Sequence, residues 1–199
     1  MNECTMTDGT HRQAEEGHDM CASCESYLLS SMDPVDIDTR LADIHGRYTV
    51  ACTRIVQNRE AARKATRRDS ALHYETQVEK HMAERDALLQ EMAPLEAEFV
   101  TRGGWTRAFV VADGHVHRSM HCSTCNNGIY PTEFGWVTEF SGKTEAEVIE
   151  AAGSRACTVC YPTAPVDAPA GRIFHATEVE AQVARAEREA KKAAADAKK

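Results

Sequence analysis

Two C-x2-C pairs carry the strongest chemical signal in the sequence: Cys122-Ser-Thr-Cys125 and Cys157-Thr-Val-Cys160, separated by 31 residues. A C-x2-C turn places two thiolates on one side of a tetrahedral ion, and a second such turn completes the closed ligand set of a structural zinc site. The spacing predicts Zn2+ held by Cys122, Cys125, Cys157 and Cys160. Three histidines, His115, His117 and His121, crowd the first pair. Strand alternation would put His115 and His117 on one face, where they could ligate a second ion, bind a substrate or simply face solvent. His121 is too close to Cys122 along the chain for relaxed ligand geometry. A C-x2-C pair can also act as a thiol redox couple, which is the rival reading of Cys122 and Cys125.

A second group, His18, Cys21 and Cys24, lies near the N-terminus, with Cys4 and His11 upstream. Its spacing suits a second zinc if Cys4, His11, Cys52 or a partner molecule supplies the fourth ligand. The plain alternative is a redox-sensitive arm. Cys52 stands alone and reads as a small buried side chain.

Eight cysteines could form a disulfide scaffold, but the N-terminus has no positive region followed by an apolar block. Signal-directed export is therefore not expected, and a reducing compartment suits the metal reading. No run of 18 apolar residues occurs, so no membrane span is expected either. Enzyme signatures are also missing: the sequence has no Gly-rich phosphate loop, H-E-x-x-H or G-x-S-x-G, and no proline precedes either C-x2-C pair as the P-C-x-x-C of a nucleic-acid deaminase requires. The net charge is −8, and residues 1–46 alone hold ten acids against two bases. Such a chain gains little general attraction to nucleic acid, although Arg63, Lys64, Arg67 and Arg68 could touch phosphate locally.

The elements that must position these groups fall into four expected segments. Residues 1–33 form an acidic arm with a metal knuckle as an option. Residues 34–102 are helical: Ile37, Leu41 and Ile44 recur at helical spacing in a short helix that Gly46 could end. Residues 57–99 contain one proline and no glycine, and predict a long exposed helix or a hairpin breaking near Thr66 to Ser70. A homodimer or coiled coil through this helix is one reading.

Residues 103–170 form the expected zinc domain. Nine of the twelve aromatic residues lie between Phe99 and Phe174, but a segment this short needs a metal or another element to complete its core. Alternation on both sides of Asp113-Gly114 predicts a β-hairpin that leads into Cys122. Thr144 with Glu147 forms a capping box, and Gly153 suits the helix end. Residues 171–199 supply a charged C-terminal helix from about Thr177, with Thr177 and Glu180 as its capping box. The expected class is α+β: a small zinc-stabilised hairpin and helix flanked by long, largely exposed helices.

Several segments together resemble a group of small, uncharacterised proteins encoded by phages of actinobacteria. They are Gly103-Gly-Trp-Thr-Arg-Ala-Phe, Gly114-His-Val-His, Cys122-Ser-Thr-Cys125 and Ala156-Cys-Thr-Val-Cys-Tyr-Pro-Thr-Ala-Pro. Ile37-Asp-Thr-Arg-Leu-Ala and Pro94-Leu-Glu-Ala-Glu extend the likeness upstream. The resemblance implies a phage product acting in the bacterial host cytoplasm, and names no ligand or partner. The combined expectation is a non-enzymatic zinc-binding accessory protein that contacts a host or phage protein. A nucleic-acid-binding module resembling a zinc ribbon is the alternative.

Overall fold

The computed structural model describes residues 22–127 and 132–196. The chain divides into two compact units, with the boundary between Gly104 and Trp105.

The first unit contains α1 (Ala22–Ser31), α2 (Pro34–Lys64) and α3 (Arg68–Thr101). Asp33 caps α2 by accepting a hydrogen bond from the Val35 amide at 2.9 Å, and Pro34 enters the first turn, where its missing N–H costs nothing. The helix does not stop at Gly46, as the sequence suggested it could. Nothing lies within 4 Å of a Cβ placed there, and the roughly 1 kcal/mol propensity cost of glycine is outweighed by packing before and after it. Ile37, Leu41, Ile44, Ala51 and Ile55 form the buried stripe of α2, while His81, Leu88 and Leu95 are the buried residues of α3.

The two long helices form an antiparallel hairpin, its turn at residues 65–67 overlapping the start of the break expected at Thr66 to Ser70. Cross-links from Arg47 to Glu91 at 2.8 Å and from Arg59 to Met82 at 3.6 Å give its direction. Arg102 donates to the carbonyls of Leu29 and Met32 at 2.5 and 2.8 Å, satisfying acceptors at the end of α1. Gly103 closes α3 with φ +77°, the left-handed geometry foreseen for it.

The second unit has three short antiparallel strands in the order β2-β1-β3: β1 (Phe109–Val111), β2 (Val116–His117) and β3 (Phe134–Trp136). The Asp113-Gly114 hairpin is present, but β2 is only two residues long because the chain turns at Ser119 to Cys122. A 3-10 turn at Thr138–Phe140 leads to α4 (Glu145–Ala152), where both halves of the Thr144/Glu147 capping box form.

Val110, Val116, Phe140, Val148, Ala152, Tyr161 and Ile173 build the core of this unit. Gly153, with φ +57°, sits so close to Pro169 and Gly171 that a side chain would collide with the returning backbone. Hydrogen bonds from the Gly171 and Arg172 amides to the Ala152 and Ala151 carbonyls bind that return to the end of α4.

The last helix, α5 (Ala176–Asp196), begins just before the expected Thr177. Its start uses a different pair from Thr177/Glu180: the Glu178 carboxylate accepts from the His175 amide at 2.7 Å. Glu178 is held there by Arg155 at 2.8 Å, an anchor that Glu180 lacks. Ile173 and His175 are buried, so the segment before α5 belongs to the core. The whole is an α+β chain with a small strand and helix region beside a His/Cys cluster, and with long, mostly exposed helices before and after it in sequence.

Candidate metal centre

Sheet register and two tight turns build the centre. Phe109 pairs with His117 and with Trp136, so these three side chains share one face of the sheet, opposite the core-facing Val110 and Val116. The Phe109 ring meets Trp136 edge-on at 4.8 Å, and His117 meets Phe134 edge-on at 6.2 Å. After α4 the chain returns alongside β2: the Val116 amide donates to the Arg155 carbonyl at 2.7 Å, and the Cys157 amide donates to Val116 at 2.9 Å. This parallel bridge brings Cys157 beside the strand residue that precedes His117.

The first cysteine turn closes through the Cys125 amide on the Cys122 carbonyl at 2.9 Å. Asn126 follows with φ +59°, a conformation asparagine tolerates. Its side chain accepts from the Thr132 amide at 2.9 Å and donates to the Met120 carbonyl at 3.0 Å, clamping the base of the turn.

His117, Cys122, Cys157 and Cys160 present donor atoms that all lie within 4.8 Å of one another. The Cys122 and Cys157 sulfurs are 3.9 Å apart, and the Cys160 sulfur is 3.8 Å from His117 Nδ1. For a tetrahedral ion with metal–sulfur bonds near 2.3 Å, neighbouring sulfurs stand about 3.8 Å apart, a value the Cys122–Cys157 separation matches. Cys125 stands next to this group, its sulfur 3.5 Å from His117 Nε2.

Burial and local hydrogen bonds set the protonation of these donors. Burial pushes the Cys160 thiol up to about 11 and raises Cys125 as well. Burial acts in the same direction on Cys122, but hydrogen bonds from the Thr124 hydroxyl and amide outweigh it and hold that thiol below its ordinary value. Burial, assisted by His115, lowers His117 and keeps its imidazole neutral, with a lone pair available. Buried thiols that resist ionisation become thiolates when a metal compensates the charge, with release of their protons.

The donor set suits zinc without being specific to it, since soft sulfur ligands also select other thiophilic ions. Three of the four cysteines expected as ligands thus join the compact group, the fourth adjoins it, and His117 enters a cluster the spacing had assigned to cysteines alone. His115 is exposed while His117 is 3% exposed, so their shared face does not give them one environment. The cue available in the sequence was that His117 ends the strand that runs into Cys122.

His18 and Cys21 lie outside the described residues, as does the Cys24 side chain, although Cys24 falls within α1. Cys52 is partly buried in α2. Among the described residues, no helix is long and apolar enough to cross a membrane. Comparisons with family models, curated proteins and solved structures gave no match.

Proposed function

We propose that the chain is a non-enzymatic zinc-binding accessory protein, made by a phage in its bacterial host, that acts by contact with another protein in the host cytoplasm. The observation that carries the zinc part is the closed, mostly buried group of His117, Cys122, Cys157 and Cys160. Four protein donors leave no open coordination position for substrate, which is the pattern of a structural ion. Contact with a protein partner is supported by long helices that expose Val50, Val56, Leu72, Leu89 and Val100. The phage setting rests on the sequence resemblance.

Metal analysis of the full chain purified without added metal tests the reading. One zinc equivalent per chain, lost in Cys122→Ser, supports it; a metal-free, fully folded wild type overturns it. A second equivalent lost only in Cys21→Ser would assign the His18/Cys21/Cys24 group as another site.

One observation favours nucleic acid as the partner: Arg63, Lys64, Arg67 and Arg68 gather, exposed, at the turn between α2 and α3. Retention on nucleic acid at low salt that falls steeply with added salt would support that alternative. No retention at low salt would remove it.

A further inference from the structure

Thr124, inside the first cysteine turn, turns its hydroxyl toward the sulfurs of the centre although the residue itself is exposed. Its Oγ1 lies 3.2 Å from the Cys122 sulfur, against 3.8 Å from Cys157 and 3.9 Å from Cys125. A hydroxyl has one proton to donate, and the shortest contact gives it to Cys122. The Thr124 amide donates to that same sulfur, so one residue supplies Cys122 with a main-chain and a side-chain donor. The second turn, Cys157-Thr-Val-Cys160, has Val159 at the matching position, 56% exposed and without a hydroxyl. There the Cys160 sulfur accepts from the Arg118 amide. The two turns share a spacing and differ in their hydrogen bonds.

An ion held by His117, Cys122, Cys157 and Cys160 sets three thiolates against two positive charges, which leaves one negative charge on the sulfurs. The Cys122 and Cys157 sulfurs, 3.9 Å apart, repel one another across the site. A hydrogen bond to a charged acceptor is stronger than one between neutral groups, and donors around a metal site fix the orientation of its ligands. The Thr124 hydroxyl donates beside this pair, where the repulsion is greatest.

Resting on the zinc reading above, we propose that Thr124 is a positioning residue of the metal centre, whose hydroxyl holds the Cys122 thiolate toward the ion and offsets part of the excess negative charge on the sulfurs. Without the hydroxyl, the Cys122 sulfur keeps its place in the sequence but loses the bond that orients it. Repulsion among the thiolates then rises and the ion leaves more readily.

The test compares Thr124→Val, which keeps the side chain's shape and removes the hydroxyl, with Thr124→Ser, which keeps the hydroxyl and removes the methyl group. Each full-length chain is loaded with Zn2+, and release to the chelator 4-(2-pyridylazo)resorcinol is timed. Each is also loaded with Co2+, and the near-ultraviolet sulfur-to-cobalt charge-transfer band is recorded. Thr124→Val should release zinc about tenfold faster than wild type, and its charge-transfer band should move to longer wavelength, because a thiolate without its donor gives up an electron more easily. Thr124→Ser should match wild type in both. Thr124→Ala also lacks the hydroxyl and repeats the comparison should the valine variant fail to fold. A wild-type band or a wild-type release rate in the folded variant without the hydroxyl would overturn this inference alone. An equal change in Thr124→Ser would overturn it as well, since the methyl group would then carry the effect. A folded wild type without metal would overturn the zinc reading and this inference with it.

Discussion

The two units of the chain solve the problem of order in opposite ways. The helical unit draws on length: α2 and α3 run 31 and 34 residues, and their hydrogen bonds are local and repeated. Each turn adds one more pair of side chains to the same seam, so stability accrues in small increments. Ahead of the exposed α5, the unit from Trp105 onward has strands of two or three residues and an eight-residue helix, none of which is independently stable. It concentrates order at a few points: the His/Cys cluster, the close passage of Gly153 against the returning chain, and the Arg155–Glu178 pair. An extended seam can lose one contact and persist. A unit organised around a cluster cannot.

Metal removal is the severest way to break this comparison, and the placement of both tryptophans, Trp105 and Trp136, in the second unit makes the result readable. Stripping zinc with a chelator, or substituting Cys157→Ser, should shift tryptophan emission to that of an unfolded chain. Most of the helical circular dichroism, which comes from α2 and α3, should remain. Apparent structural-zinc binding energies on the order of 10 kcal/mol exceed what a core of this size supplies. Unchanged emission and an unchanged thermal transition after complete metal loss would show that the second unit folds without the ion.

The reverse perturbation is smaller. Leu41 is fully buried in the hairpin seam, and Leu41→Ala should cost about 2–5 kcal/mol through lost transfer energy and a residual cavity. The expected readout is an earlier melt of the helical signal, with zinc stoichiometry and tryptophan emission unaltered. Coincident loss of zinc would show that the two units melt as one.

What the sequence disclosed follows the range of the interactions involved. The Thr144/Glu147 capping box, the turn near residue 66, the left-handed Gly103 and the Asp113-Gly114 hairpin are all set by residues within a few positions of one another, and their patterns are visible locally. Gly46 misled because its helix is held by a partner tens of residues away, which overrides a local propensity. β3 went unforeseen because three residues carry too little alternation to stand out, and its place is fixed only by pairing with β1. The start of α5 was read from Thr177 and Glu180, two sound capping residues. The pair used, His175 and Glu178, is selected by Arg155, more than twenty residues upstream. At the metal centre the cysteine spacing named the chemistry, whereas His117 joined through strand register, which no ligand motif encodes.

The Arg155–Glu178 pair gives the finest test of the contrast, because the helical unit offers a counterpart of similar chemistry in different surroundings. Arg155 and Glu178 are 12% and 14% exposed, whereas Arg47 and Glu91, also 2.8 Å apart, are 48% and 50% exposed. Solvent screening leaves the second pair little net effect, so Arg47→Ala should not shift the helical melt measurably. Glu178→Gln removes a charge-assisted bond from a mostly dry site and weakens the start of α5, for an expected loss of about 1–2 kcal/mol in the tryptophan-reported transition at neutral pH.

The Arg155 hydrogen bond holds the Glu178 carboxyl below its ordinary value, against the opposing effect of burial. The stabilisation from this pair is therefore complete above the unfolded-state carboxyl pKa, and is lost as pH falls through the lower folded-state value. Zinc thiolates also protonate in acid, so the informative quantity is the difference between wild type and Glu178→Gln at each pH at which both retain their metal. That difference should persist at raised salt, since a mostly buried pair is screened far less than an exposed one. A difference at neutral pH that disappears with added salt would place this pair in the same class as Arg47 and Glu91, and would leave the metal cluster and the Gly153 passage as the anchors of the second unit.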